Sequence, residues 1–302
     1  MRIIFAGTPD VGIPVAESIS SHIVGVLTRP DAEVGRGRDL TPSPVAQWAA
    51  ERSIDIFKAS QSNPEVVEWL RAKQPDLGVV VAYGALLPVE LLSLPVHGWL
   101  NIHFSLLPQL RGAAPVQRAI LNGDDITGVT IFQLDEGMDT GPIYGTSTRE
   151  IGPNETSEDL LRALTLESIP LLRKVIEGIS EGTLRPVAQV EQGATYAPKI
   201  IKEEYLIHWD RPCHSIARQV RAFHPFSFTF FRGERIALLE VSESLELVDL
   251  SAGELIVSSD KLFVGCAFGA LEISRLRPAG KKEMAAADWI RGARIIEGER
   301  FE

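Results

Sequence analysis

The chain has 302 residues, of which 45% are hydrophobic and 23% are charged. This length exceeds what a single hydrophobic core usually organises, so the sequence predicts two domains. The formal net charge of −10 argues against a general nucleic-acid binder. No apolar run approaches the roughly 20 residues that a membrane-spanning helix needs, and the amino terminus lacks the pattern of a signal peptide. The sequence therefore predicts a cytoplasmic protein.

Charge and cysteine content restrict the possible partners further. Residues 1–198 carry 15 basic and 24 acidic side chains, whereas residues 199–302 carry 15 and 16. A polyanionic partner would therefore meet a local basic surface, which the balance of charge places in the carboxy-terminal part. Cys213 and Cys266 have no metal-ligand spacing, so we expect two reduced, buried thiols and predict no metal site.

Strands and helices alternate along the first part of the chain. Apolar and β-branched runs predict strands at 2–6, 23–28, 77–82, 99–103 and 128–134. Helical spacing predicts helices at 11–21, 44–52, 63–73, 114–121 and 157–179. Pro170 should kink the last helix or start a second segment. The alternation predicts an α/β fold with a doubly wound, mostly parallel, Rossmann-like sheet.

The last hundred residues have a different pattern. After a predicted helix at 213–223, short β-rich runs occur at 228–231, 236–241, 255–257, 262–264 and 271–276, followed by a helix at 284–291. Short strands separated by turns predict a second, smaller β-barrel domain of the OB-like type. We expect a catalytic domain over residues 1–187, a linker over 188–204 and the β-barrel domain over 205–302.

The residues best suited to chemistry are at the end of the predicted strand 99–103. Asn101 and His103 point to the same side because side chains alternate along a strand. Asp139 lies between two glycines in a predicted loop near strand ends, where open α/β sheets place their sites. An amide donor, an imidazole and a carboxylate can stabilise an oxyanion and move a proton during acyl transfer. Taken alone, the pair fits an ordinary structural role better, with Asn101 capping a turn and His103 packed as a core histidine; the neighbouring residues favour the chemical role.

Several stretches resemble the formyltransferases that use 10-formyltetrahydrofolate. They include Asn101–His103, the Ser-Leu-Leu-Pro run at 105–108, the Arg-Gly-Ala-Ala-Pro run at 111–115 and the Asp-Thr-Gly run at 139–141. Further matching stretches lie at 5–9, 80–84, 128–131, 196–199 and 221–223. The Gly-Arg-Gly-Arg run at 35–38, with Thr-Pro-Ser-Pro at 41–44 and Pro-Ala-Gly-Lys-Lys at 278–282, narrows the resemblance to the tRNA-acting branch.

The resemblance implies transfer of a formyl group from 10-formyltetrahydrofolate to the α-amine of methionine on initiator tRNA, by a monomer that needs no metal. It implies catalytic roles for Asn101, His103 and Asp139, and the sequence leaves open whether His103 or Asp139 moves the proton. It also implies folate contacts from two segments, whose members are Ser105, Leu106, Leu107, Pro108, Val81, Ala82, Tyr83 and Gly84.

Contacts with tRNA are implied in two places. Arg36 and Arg38 lie in the polar segment 29–44, which is either a solvated loop or an insertion into the acceptor end of the tRNA. Arginine suits both phosphate groups and base edges. Lys281 and Lys282 follow Gly280, and they either form an exposed turn or contact phosphate in the second domain.

Other functions fit the sequence less well. A nicotinamide-dependent dehydrogenase needs the G-x-G-x-x-G spacing, which residues 7–12 lack. A formyltransferase acting on an amino-sugar nucleotide would share the catalytic residues but differ in its acceptor, and a folate-hydrolysing relative would use water. A noncatalytic tRNA-binding protein would not require Asn101, His103 and Asp139 together.

Overall fold

The computed structural model describes residues 1–34, 39–61, 63–244 and 250–302. The chain forms two compact units. The first comprises Met1–Pro115, Ile126–Glu150 and Leu161–Ala197, and the second comprises Val116–Asp125, Ile151–Leu160 and Pro198–Glu302. Among the described residues, no helix has both the length and the apolar character needed to cross a membrane.

Strands and helices alternate along most of the chain before residue 182, as the sequence predicts for this part. The strands up to residue 197 are β1 Ile3–Gly7, β2 Ile23–Thr28, β3 Ala32–Val34, β4 Asp39–Thr41, β5 Ile56–Lys58, β6 Leu77–Val81, β7 Trp99–His103, β8 Arg111–Gly112, β9 Ile126–Gln133, β10 Ile143–Glu150 and β11 Tyr196–Ala197. The helices before residue 182 are α1 Ile13–Ser18, α2 Pro44–Glu51, α3 Pro64–Lys73, α4 Val89–Leu92, α5 Pro115–Asn122 and α6 Ser157–Glu181.

The first unit is built on a seven-stranded sheet with the order β10-β9-β7-β6-β1-β2-β5. Strands β5, β2, β1, β6 and β7 are parallel, and this part has the predicted doubly wound arrangement. Strand β9 is antiparallel to β7, and β10 is antiparallel to β9. The prediction of a mostly parallel sheet is confirmed, with an antiparallel pair added at one edge.

Buried side chains from both faces hold the parallel strands together. Every residue of β1 and β6 is buried, which is typical of a sheet covered on both sides. Trp99 on β7 is fully buried, and its Nε1 donates to the Leu91 carbonyl at 2.8 Å. Its ring occupies the space that a side chain at Gly78 on β6 would fill, since a Cβ there would lie 2.1 Å from the indole.

Helix α6 runs through Pro170 as one element, and no second segment starts there. Proline lacks the N–H that would bond to the carbonyl four residues earlier, at Leu166. Both Pro170 and Leu166 are exposed, so water can satisfy that carbonyl and the helix can continue.

The second unit is organised around an antiparallel sheet. Its strands are β12 Phe228–Phe231, β13 Glu234–Ser244, β14 Leu255–Ser258, β15 Lys261–Gly265, β16 Ala270–Pro278 and β17 Met284–Ala285, and its helices include α7 Cys213–Ala222 and α8 Ala286–Ala293. The strand order is β12-β13-β16-β15-β14, with β17 paired to β16. Buried side chains of α7, α8 and the sheet form one core. The predicted fold class, with a smaller β domain after the α/β part, is confirmed.

Candidate functional site

Strand β7 positions the first two residues of the candidate site. It lies between β6 and β9, with Val80 and Phe132 as neighbours of Asn101. The Asn101 side chain is half-buried, and its carboxamide makes no hydrogen bond to any residue in the described part of the chain. Its two N–H donors are therefore available to a bound molecule.

His103 is 5% exposed, and its two ring nitrogens have different surroundings. Its Nε2 lies 2.9 Å from the Leu110 carbonyl, which can only accept, so Nε2 carries a hydrogen and donates. In the neutral ring, Nδ1 then holds a lone pair, and Nδ1 lies 3.6 Å from Asp139 Oδ2. Burial lowers the pKa of His103, opposed by the Asp139 charge and the Leu110 hydrogen bond. The imidazole is thus neutral at neutral pH, with Nδ1 ready to accept a proton.

The segment after β7 directs the Leu110 carbonyl at the histidine. Ser105 is buried and its Oγ donates to the Gln109 carbonyl at 2.6 Å, which closes the turn. Thr130 on β9 holds the same turn, since its Oγ1 donates to the Ser105 carbonyl at 2.7 Å. Leu110 adopts a left-handed conformation with φ of 58°. This tightly bonded turn fixes the tautomer and orientation of His103.

Asp139 reaches His103 on a loop that returns along the sheet. Strand β9 ends at Gln133, opposite Leu100, whereas His103 pairs with Thr130. The chain must therefore run back toward the end of β7 before residue 139. Asp139 itself is left-handed, with φ of 54°, and its Oδ2 accepts from the Gly112 N–H at 2.7 Å.

His103 and Asp139 meet within the first unit, and Asn101 lies on the same side of β7 as His103. A buried neutral imidazole, a carboxylate 3.6 Å from its Nδ1 and an unpaired carboxamide two residues before it form a compact set of polar groups. Such a set can accept a proton, stabilise the resulting imidazolium and donate to an oxygen that gains negative charge. The arrangement suits acyl transfer to a neutral nucleophile.

The predicted folate segment 105–108 follows His103 closely in the sequence. Ser105 and Leu107 are buried, whereas Leu106 and Pro108 are half-buried, and the Leu107–Pro108 peptide bond is cis. Two of these four residues, Leu106 and Pro108, thus retain accessible apolar surface.

The turn after β6 leaves mainly its backbone accessible. Val81 is fully buried, and Tyr83 is 4% exposed, with its hydroxyl donating to the Ala59 carbonyl at 2.7 Å. Burial raises the pKa of Tyr83 to about 12. Ala82 and Gly84 are exposed and have positive φ angles of 47° and 81°. Contacts from this turn would therefore come from the backbone at Ala82 and Gly84.

Of the predicted tRNA residues, Arg36 and Arg38 lie outside the described residues. The ends of their segment are fixed, because the Thr28 and Ser43 hydroxyl oxygens lie 2.7 Å apart and Lys58 pairs with Asp31 at 2.6 Å. Lys281 and Lys282 are exposed in the turn between β16 and β17 of the second unit.

Besides Leu110, a second residue that contacts the site was not predicted from the sequence. Gln189, in the predicted linker, donates from Nε2 to the Asp139 carbonyl at 2.9 Å and to the Gly141 carbonyl at 2.7 Å. Nothing in its sequence context indicates this contact, because the segment is polar and contains no strong helix or strand pattern. The parallel pairing of β11 with β8 fastens this segment to the first unit.

Comparison with known proteins agrees with this chemistry. A family model described as formyl transferase matches residues 14–176, and one described as formyl transferase, C-terminal domain, matches residues 199–294. The chain is 47% identical to the methionyl-tRNA formyltransferase of Thermobifida fusca, covering 100% of this chain and 99% of that protein. It is 45% identical to the methionyl-tRNA formyltransferase of Salinispora arenicola, covering 99% of each.

Solved structures share the fold at lower sequence identity. Methionyl-tRNA formyltransferase from Clostridium thermocellum has a TM-score of 0.54 and 19% identity, covering 82% of this chain and 95% of that one. HypX from Aquifex aeolicus, solved in complex with tetrahydrofolic acid, has a TM-score of 0.64 and 20% identity over 96% of this chain. The match covers 47% of HypX, so this chain spans about half the length of that protein.

Proposed function

Because the chain belongs to the formyl transferase family, we propose that it transfers a formyl group from 10-formyltetrahydrofolate to the α-amine of methionine on initiator methionyl-tRNA. The choice of acceptor rests on sequence similarity to methionyl-tRNA formyltransferases over the whole chain. Relatives named methionyl-tRNA formyltransferase match at 47% and 45% identity across both units. A likeness confined to the first unit would support formyl transfer but not this acceptor.

The residues around Asn101 fit the formyl donor. The carboxamide is half-buried and without a partner among the described residues, and the backbone at Ala82 and Gly84 is exposed. We propose that the turn at 81–84 and the segment 105–108 hold the folate. The donor supplies a carbon at the acyl level, and the enzyme supplies the hydrogen bonds and the proton acceptor.

We propose that Asn101 donates to the formyl oxygen, which gains negative charge as the amine adds. His103 accepts the amine proton at Nδ1, because Nε2 already carries the hydrogen bound to Leu110. When the tetrahedral centre collapses, the bond from the formyl carbon to N10 of the folate breaks, and the protonated His103 gives its Nδ1 proton to N10. Asp139 stabilises the imidazolium from 3.6 Å, and the Gly112 N–H holds its Oδ2 in place at 2.7 Å. In this proposal His103 carries the proton, a question that the sequence leaves open.

The remaining assignments form part of the same proposal. Residues 1–187 bind the folate and carry the chemistry, residues 188–204 link the domains, and residues 205–302 contact tRNA together with the segment around Arg36 and Arg38. Exposure of Lys281 and Lys282 supports a role in binding phosphate. The protein acts in the cytoplasm, as a monomer and without a metal.

An acceptor comparison tests the proposed function. The enzyme is incubated with formyl-labelled donor and, separately, with initiator methionyl-tRNA, an elongator methionyl-tRNA, an amino-sugar nucleotide or buffer alone. We expect label on initiator methionyl-tRNA far above the other arms. Label on the sugar would support the alternative acceptor, and release of free formate would indicate hydrolysis; either result without label on tRNA would overturn the proposal.

The tRNA contact is tested by Arg36→Ala. Removing a guanidinium that binds phosphate or a base edge should raise the KM for tRNA by roughly tenfold, in line with about 1–3 kcal/mol for such a contact. The KM for the folate should stay unchanged, and added salt should weaken the tRNA step more than the folate step. Unchanged tRNA kinetics in this variant would show that the segment 29–44 does not contact tRNA.

A further inference from the structure

A single carboxamide in the first unit connects a buried arginine to the loop that carries Asp139. Gln189 Nε2 donates to the carbonyls of Asp139 and Gly141, at 2.9 and 2.7 Å. Its Oε1 accepts from Arg111 Nη2 at 2.9 Å and from Arg111 Nε at 3.3 Å. We propose that Gln189 is a positioning residue that holds Asp139 against His103 during formyl transfer.

Arg111 determines which way the Gln189 amide points. The Arg111 side chain is 1% exposed, so its guanidinium depends on protein acceptors in place of water. Glu191 accepts from Nη1 at 3.1 Å and from Nη2 at 3.2 Å, and its hydrogen bonds raise the pKa of Arg111, which stays charged. Guanidinium nitrogens only donate, so the oxygen of Gln189 must face Arg111. The amide nitrogen therefore faces the two loop carbonyls, where both of its hydrogens are used.

Asp139 needs such support because of its backbone conformation. Its φ of 54° lies in the left-handed region, which residues other than glycine rarely adopt without a local restraint. Gln189 holds the main-chain oxygen of this residue, and the Gly112 N–H holds its carboxylate at 2.7 Å. Gly112 thus holds the side chain of Asp139 directly, and its neighbour on β8, Arg111, orients the Gln189 amide that holds the backbone.

Two substitutions separate this role from general support of the fold. Gln189→Met keeps the length of the side chain, adds no charge and removes all four hydrogen bonds of the amide. Gln189→Glu leaves Arg111 an acceptor but removes both donors and places a carboxylate against two carbonyl oxygens. Gln192→Met is the matched control, since Gln192 is exposed in the same segment.

The role of Gln189 rests on the proposed function. Two measurements therefore distinguish a failure of the Gln189 role from a failure of the proposed function. The first is the pKa of His103, measured by NMR titration of histidine-labelled protein without substrates. Displacement of Asp139 should lower it in Gln189→Met, toward its value in Asp139→Asn, while Gln192→Met matches the wild type. This result does not depend on which acceptor the enzyme uses.

The second readout is kcat, measured with saturating folate and methionyl-tRNA. A shift of about 1 Å in a catalytic group can cost up to 100-fold, so both Gln189 variants should lose roughly 10- to 100-fold in kcat with little change in either KM. In the Asp139→Asn background, the same substitutions should cost less than threefold, because the group that they position is already disabled.

Two results would overturn the role of Gln189. One is a His103 pKa that is unchanged in Gln189→Met. The other is a loss of kcat of the same factor with and without the Asp139 carboxylate. If the wild type fails to formylate methionyl-tRNA, the proposed function falls, and the NMR titration still decides whether Gln189 positions Asp139.

Discussion

Replacing Asp139 with asparagine removes the charge nearest to His103 and keeps the size of the side chain. The asparagine oxygen can still accept from the Gly112 N–H, which now bonds to Asp139 Oδ2 at 2.7 Å. The carboxylate lies 3.6 Å from Nδ1, and an opposite charge at this range raises a histidine pKa by about 1–3 units. Each unit corresponds to about 1.4 kcal/mol of preference for the imidazolium. Loss of that stabilisation should reduce kcat by roughly 10- to 1000-fold.

The assay combines an NMR titration of the histidines with kcat at saturating substrate. Burial already lowers the pKa of His103 below its ordinary 6.5, and in the variant the pKa should fall further because the Asp139 charge that opposed burial is gone. The lowered pKa also makes the free energy of unfolding depend on pH. The folded state prefers neutral His103, so this contribution to stability is full above pH 6.5 and is lost as the pH falls through the folded pKa. A His103→Gln variant identifies the resonance. A pKa that stays constant or rises in Asp139→Asn would refute the electrostatic role of Asp139.

Three further substitutions or reagents test other parts of the structure. Asn101→Ala should lower kcat by roughly 100- to 1000-fold, the loss expected for one oxyanion donor, with a small change in melting temperature because the Asn101 carboxamide bonds to no described residue. Gly78→Ala should destabilise the protein by about 1–3 kcal/mol or more in calorimetry, since the new Cβ meets the buried ring of Trp99, whereas Gly292→Ala has open space and should not. Cys266, whose pKa burial raises to about 12, should react with iodoacetamide at pH 8 roughly 1000-fold more slowly in the native than in the unfolded protein; equal rates would show that this thiol is not buried.

The alternating pattern of strands and helices predicted four of the five parallel strands of the first unit and missed the short edge strand β5. The uninterrupted apolar run at 77–82 became β6, which is buried along its whole length, because a strand covered on both faces has no polar positions. The prediction of a helix at 11–21 was less accurate. Only Ile13–Ser18 is α-helical, and short 3₁₀ turns flank it at Asp10–Gly12 and Ser20–His22. Helix ends depend on local backbone bonds that periodicity does not describe.

The direction of β9 could not be predicted from periodicity. A buried strand has the same apolar pattern in either direction, and only the pairing of His103 with Thr130 and Leu100 with Gln133 makes this strand antiparallel to β7. That direction has a consequence for the site, since it forces the loop after β9 to run back along the sheet to bring Asp139 to His103.

Local sequence therefore determined the alternation of elements, the shared side of Asn101 and His103 and the residue types suited to acyl transfer, because side-chain period and chemistry are local properties. The tertiary structure decided which nitrogen of His103 is free and which residue holds Asp139. Those facts depend on Leu110 and Gln189, and on contacts such as the one from Gln189 to Asp139, 50 positions apart in the chain. No local pattern encodes such a contact, since it exists only after β8 and β11 have paired.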